Sequence, residues 1–173
     1  MSSVTYQQDR PAVSIVIATL NPGEGLSNQI KALSNQSFAH QFEVIIADNG
    51  SHSNPLESIS GNGIANDKLQ IRYVDASRKR GVAAARNIGV HNARSDYILF
   101  CDDDDTVTEN WIESMYSALL AYDIVSGPLN FKVLNEPWRY KSKSSSIQSH
   151  PFVFKELNLE YGIGCNLGVR KNL

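Results

Sequence analysis

Apolar residues gather into four short runs in the first part of the chain: Val13–Ala18 (VSIVIA), Phe42–Ala47 (FEVIIA), Leu69–Val74 (LQIRYV) and Tyr97–Cys101 (YILFC). Each is rich in Val, Ile, Tyr or Phe and nearly continuous in apolar character, the pattern of strands buried on both faces of a parallel sheet. Between and after them the spacing changes to that of helices. Leu26, Ile30 and Leu33 fall on one face, and Val82, Ala85, Ile88 and Gly89 line a second, small-sided helix. Ile112, Met115, Leu119 and Leu120 line a third, and Thr106 and Glu109 stand at capping-box spacing ahead of it. Strands alternating with helices predict an α/β domain with a mostly parallel sheet. Ile124–Phe131 predicts a further strand, and the serine-rich stretch Tyr140–Ser149 a polar loop. Too little chain remains after that loop for a second domain, so residues 1–173 are expected to form one.

Each run gives way to polar residues: Thr19 and Asn21 after the first, Asp48 after the second, Asp75 after the third, and Asp102–Asp105 after the fourth. The C-terminal ends of parallel strands share one edge, where open α/β sheets bind ligands. These side chains, distant in sequence, are therefore expected on one rim. The plainer explanation is that Asp and Asn commonly end strands and begin turns. Four adjacent carboxylates directly after an apolar run repel one another, and a bound cation would offset that repulsion. The spacing Asp102-x-Asp104 puts two carboxylates on the same side of an extended segment. Two such oxygens can hold Mg²⁺ or Mn²⁺ while leaving positions for phosphate oxygens and water. Asp105 has a simpler role open to it, at the start of the next helix, where negative charge is favoured. Arg86 lies on the second helix, just before the acidic strand, and could contact a donor phosphate or neutralise the aspartates. Arg78, Lys79 and Arg80 read as a solvated loop.

Composition removes several classes. The chain of 173 residues is 42% apolar and 20% charged, an ordinary globular balance. A net charge of −2 gives no general attraction to nucleic acid or anionic membrane. No apolar run approaches the ~18 residues of a membrane span, and the N-terminus lacks the features of a signal peptide. Cys101 and Cys165 form no CxxC, which fits a reduced cytosolic chain. His40, His52, His91 and His150 show no zinc-ligand spacing, and neither GxGxxG nor GxxxxGK[ST] is present.

Four segments in order resemble a family-2 glycosyltransferase with the GT-A fold: VSIVIATLN, EVIIADNGSHS, GVAAARNIGVHNARSDYILFCDDDD and GIGCNLGVRKNL. The resemblance implies a GT-A (Rossmann-like) three-layer α/β fold with a mostly parallel central sheet. It implies transfer of a sugar, with inversion, from a nucleotide-diphosphate donor such as a UDP-sugar to a saccharide or lipid-linked acceptor hydroxyl in polysaccharide or glycoconjugate synthesis. Thr19 and Asp48 would contact the nucleoside, and Asn21, Arg86 and Asp103 complete the donor-binding set. Asp102 and Asp104 would hold the metal, Mg²⁺ or Mn²⁺, and the diphosphate. The last segment would lie on the acceptor side and end in an Arg. The implied location is cytoplasmic, extending to the inner face of the membrane for a full-length protein. Asn49 stands where the family has a second acidic residue, and Ala18 and Leu20 replace its Pro and Tyr around Thr19. The family's general base, in a Glu-Asp pair, would fall beyond Leu173, and Glu156 and Glu160 do not stand in a matching context. The chain is therefore expected to be the N-terminal part of a catalytic domain, truncated at its C-terminal end. A nucleotidyltransferase is a second reading, against which TLNPGEGL carries no basic residue after the first strand. A non-catalytic nucleotide-sugar-binding module is a third.

Overall fold

The computed structural model describes residues 10–59, 66–130, 134, 147–148, 152–154 and 159–172. The four apolar runs form strands, each within a residue of its expected bounds: β1 (Val13–Thr19), β2 (Phe42–Asp48), β3 (Leu69–Asp75) and β4 (Tyr97–Cys101). The helical patterns become α1 (Glu24–Ser34), α2 (Val82–Asn92) and α3 (Trp111–Leu119), with a 3₁₀ turn at Pro55–Ser58. Then come β5 (Ile124–Ser126), β6 (Leu129–Asn130), β7 (Ile147–Gln148), β8 (Phe152–Phe154), β9 (Leu159–Tyr161) and β10 (Asn166–Arg170). The main sheet has the order β3-β2-β1-β4-β10-β5. β1 to β4 are parallel, and β10 runs antiparallel between β4 and β5.

Alternation along the strands makes three layers. Val13, Ile15 and Ile17 of β1, with Phe42, Val44 and Ile46 of β2, face a core that includes Leu26, Ile30 and Leu33 of α1 and Ile112, Met115 and Leu119 of α3. Val16, Ile45, Ile98 and Phe100 point the other way, toward Val90 and Ala93, while Ala47 packs with Ala85 of α2. α2 comes close because of Gly89: a Cβ there would collide with Val16 Cγ1. Buried polar Glu43 is carried on this second face. It accepts from Ser14 Oγ at 2.6 Å, Arg72 Nη1 at 2.8 Å, and Arg94 N and Nε at 2.8 and 2.9 Å.

Five expectations need correction. β3 is an edge strand and only partly buried, with Gln70, Tyr73 and Asp75 exposed. Val82 is 54% exposed, so the apolar contact of α2 begins at Ala85. The capping box ahead of α3 does not form: its N-cap is Asn110, without a side-chain cap. The segment before it is engaged by α1 and its C-terminal end instead. Gln29 Oε1 accepts from Val107 N at 3.0 Å, and Gln36 Nε2 donates to Thr108 O at 2.7 Å. Ile124–Phe131 is not one strand: β5 and β6 belong to different sheets, separated by Gly127–Pro128. The chain bends there over Asn166, which bonds Gly127 N through its carbonyl at 3.2 Å and donates from Nδ2 to Pro128 O at 2.9 Å. Phe131 and Glu156 lie outside the described residues, as do 140–146 and 149 of the serine-rich stretch, whose Ile147–Gln148 pair with β6. Finally, Arg170 is not beside the site. Asn166 is in register with Cys101 and Arg170 with Tyr97, so Arg170 sits at the opposite edge of the sheet. There its Nε and Nη2 donate to Leu119 O at 2.9 and 2.8 Å, closing the C-terminal end of α3.

Candidate active site

Thr19, Asp48 and Asp75 lie in direct register across β1, β2 and β3, so three strands deliver polar groups to one edge. The order 3-2-1-4 reverses between β1 and β4, and a crevice opens at such a switch point. Thr19 bridges it: its hydroxyl donates to Asp103 Oδ2. Burial, and then Asp104 and Asp102 nearby, pushes the Asp103 carboxyl above its ordinary value.

The four aspartates do not continue the strand. β4 ends at Cys101, and Asp103–Asp104 form a turn. The alternation expected to align Asp102 with Asp104 therefore does not apply. Asp104 is exposed, whereas Asp105 is partly buried and turns back toward Asp102. Asp102, Asp105 and Cys165 each present a ligand atom within 4.8 Å of the others, and Asp104 lies outside this group. Burial, with Asp102 and Asp104 close by, pushes the Asp105 carboxyl up to about 6. Burial and Asp105 push the Cys165 thiol up to about 12, so at neutral pH it is protonated and bonds to Asp105 rather than offering a thiolate. The hard donors present are carboxylate oxygens, which suit Mg²⁺ or Mn²⁺.

The repulsion within the acidic turn is offset in several ways. Arg86 Nη2 donates to Asp102 Oδ1 at 2.5 Å. Thr19 and Cys165 supply hydrogen bonds. The first turn of α1 stands behind the main chain: a Cβ on Gly25 would lie 2.7 Å from Asp103 O and 2.9 Å from Asp104 Cα. The positive end of a helix is favourable next to anionic groups.

The other expected residues have structural partners. Asp48 is buried; Oδ1 accepts from Ser51 N at 3.0 Å and Ser51 Oγ at 2.6 Å, and Oδ2 from Tyr73 Oη at 3.1 Å. Burial and Asp48 push the Tyr73 phenol up. Asn21 has a φ of 51°, in the left-handed region that Asn tolerates. Its N–H donates to Ser51 Oγ at 2.7 Å and its Oδ1 accepts from His52 N at 2.9 Å, tying the β1–α1 turn to the loop after β2. Thr19, Asp103, Asp102 and Arg86 thus form one connected edge, and Asn21 and Asp48 are joined to each other through Ser51. Gly164, Cys165, Asp105, Ser51 and Tyr73 were not among the sequence candidates. Gly164 and Cys165 reach the site only because β10 pairs with β4, a long-range pairing that local spacing does not encode. Beside Asp105 and Cys165 opens a cleft of about 780 Å³, lined among others by Trp111, Met115, Val125 and Leu129.

This three-layer α/β sheet, with an acidic turn, an arginine and a threonine gathered at its switch point, has the GT-A fold. The same fold is seen in TarS 1–349 of S. aureus, which superposes with a TM-score of 0.63 at 17% identity, over 92% of this chain and 47% of that one. It is also seen in the mannosyltransferase PcManGT from Pyrobaculum calidifontis, solved with GDP-Man and Mn²⁺ (TM-score 0.58, 19% identity, 68% of this chain and 35% of that one). Residues 14–173 match glycosyl transferase family 2, and the chain belongs to that family. An uncharacterized glycosyltransferase of Haemophilus influenzae is 32% identical over 115 residues, 66% of this chain and 45% of that protein. The chain thus spans less than half the length of these relatives.

Proposed function

We propose that this chain binds the donor and metal of an inverting glycosyltransferase that uses a nucleotide-diphosphate sugar, a UDP-sugar in the first instance. The observation that carries this reading is the connected edge Thr19–Asp103–Asp102–Arg86 at the switch point, an anionic turn paired with one arginine. TarS 1–349 has been solved with UDP and with UDP-GlcNAc, and PcManGT with GDP-Man and Mn²⁺, which supports a nucleotide-sugar as the class of ligand. Asp102 and Asp105 would hold Mg²⁺ or Mn²⁺, with Asp104 on the same turn as a further carboxylate. When bound, such an ion supplies Lewis-acid stabilisation of charge on the departing diphosphate.

The chain's own residues bind and orient. Thr19 fixes Asp103, and Ser51 and Tyr73 fix Asp48 at the neighbouring strand end, where it would meet the nucleoside. Arg86 offers a cation to the diphosphate. The acceptor, a saccharide or lipid-linked hydroxyl, would approach from the cleft that opens beside Asp105. Its hydroxyl attacks the anomeric carbon as the nucleoside diphosphate leaves from the opposite side. A carboxylate acting as general base would accept its proton. Calorimetric titration with UDP and GDP, with and without Mn²⁺, tests the assignment. Mn²⁺-dependent binding of UDP by the wild-type chain, lost in Asp102→Asn, is the expected result. Binding of neither nucleotide would sink it.

A further inference from the structure

Arg86 occupies a carboxylate of the candidate metal group. Arg86 Nη2 holds Asp102 Oδ1 at 2.5 Å, so one of the two Asp102 oxygens is committed to the guanidinium. The Nε–H of the same side chain is buried with no hydrogen-bond partner among the described residues. A guanidinium stays charged and presents five donors, and a buried donor left unmade is unfavourable. The present contact therefore leaves Arg86 under-satisfied. Gly164 packs directly on it. A Cβ at 164 would collide with Nη1 and stand 3.0 Å from Cζ and 3.3 Å from Nη2. Among the described glycines only Gly50 and Gly81 have positive φ, so the backbone at 164 does not itself require glycine. What glycine supplies there is space.

We propose that Arg86 is a resident counter-ion of Asp102 that yields the carboxylate to a divalent cation and turns toward the donor's diphosphate, and that Gly164 provides the room in which its guanidinium sits against Asp102. The inference rests on reading this edge as a nucleotide-diphosphate and metal site. Before the donor arrives, Arg86 keeps the acidic turn neutral enough to stay folded. Once a cation holds Asp102, the freed fork, Nε–H included, meets anionic phosphate oxygens of matching bidentate geometry.

Binding of Mn²⁺ to the 173-residue chain without nucleotide, read from the paramagnetic resonance signal of free Mn²⁺, isolates the competition. Arg86→Met should tighten Mn²⁺ binding roughly three- to tenfold, the scale of one part-buried charge pair. The same variant should bind UDP more weakly at saturating Mn²⁺. Gly164→Ala, which displaces the guanidinium without removing its charge, should also tighten Mn²⁺ binding. Combining the two should add nothing, since they act through one contact. If Arg86→Met does not fold, Arg86→Gln carries the same expectation. Unchanged or weaker Mn²⁺ binding in the Arg86 variant, or additive effects in the double variant, overturns the proposal while Mn²⁺-dependent UDP binding by the wild-type chain leaves the donor-site reading standing. Absence of that wild-type binding overturns both.

Discussion

A single amide ties down the loop between β3 and α2. Asn49 Nδ2 donates to Ala76 O at 2.7 Å and to Lys79 O at 2.9 Å, while Oδ1 accepts from Gly81 N at 2.7 Å. A carboxylate in that place would confront two carbonyl oxygens with no proton to give. Asn49→Asp should therefore cost about 2 kcal/mol of stability, measured by urea unfolding at neutral pH; an unchanged midpoint would show that the loop does not depend on the amide. The departure from the family pattern at this position thus has a structural use. Asp48 is the opposite case, with both oxygens supplied by Ser51 and Tyr73 and an edge position at the crevice. Asp48→Ala should weaken UDP binding about tenfold, the worth of one charge-assisted hydrogen bond. Titration of that variant with UDP giving the wild-type affinity would remove Asp48 from the donor set. The position of Thr19, Asp48 and Asp102 at or just after the ends of β1, β2 and β4 was legible in the sequence, because each follows an apolar run. The pairing of Asp102 with Asp104 rested on a rule that belongs to extended chain, whereas Asp103–Asp104 form a turn.

At the scale of elements, α3 starts with help from elsewhere. Gln36, just past the end of α1, accepts from Ile112 N at 2.9 Å and donates to Thr108 O and Ala32 O at 2.7 and 3.2 Å. It serves the unpaired N–H of α3 that a local cap would otherwise serve. Gln36→Ala should lower stability by about 1–2 kcal/mol, as loss of a cap does, and hydrogen exchange should quicken at Ile112 more than at Ile98 in β4. Equal exchange at both positions would argue against a capping role. This is why the local signal at Thr106 and Glu109 misled: a distant glutamine had already taken the segment. β1 to β4 were legible because their periodicity is a property of neighbouring residues. β10 was not, since Asn166, Gly168 and Arg170 interrupt any apolar pattern, and its place depends on pairing with β4 and β5.

The whole molecule has two polar edges with different tasks. The C-terminal edge of the parallel strands carries the site; toward the other edge lies the Glu43 network, which links β1, β2, β3 and the start of β4. Burial alone would push the Glu43 carboxyl up, but hydrogen bonds from Ser14, Arg72 and Arg94 together hold it below its ordinary 4.5. A carboxylate depressed in the fold stabilises above its unfolded value and loses that contribution as pH falls through the folded one. Glu43→Gln should therefore be about 2 kcal/mol less stable than wild type at pH 7, a figure reduced for the part-exposed arginines, and the gap should narrow at an acidic pH below the ordinary 4.5. Denaturation curves at the two pH values check the sign; a constant gap would refute the linkage. The position of β10 adds a matter of timing. It is the last of the six main strands to be synthesised, yet it pairs between β4 and β5. Until Asn166–Arg170 emerge, β4 presents an unpaired flank, and open flanks invite pairing with other chains. Gly164 and Cys165 arrive with that strand, so the acidic turn meets its final neighbours only at the end of assembly. Nascent chains halted before Asn166 should cling to chaperones and dissolve poorly, and those extended past Arg170 should be released.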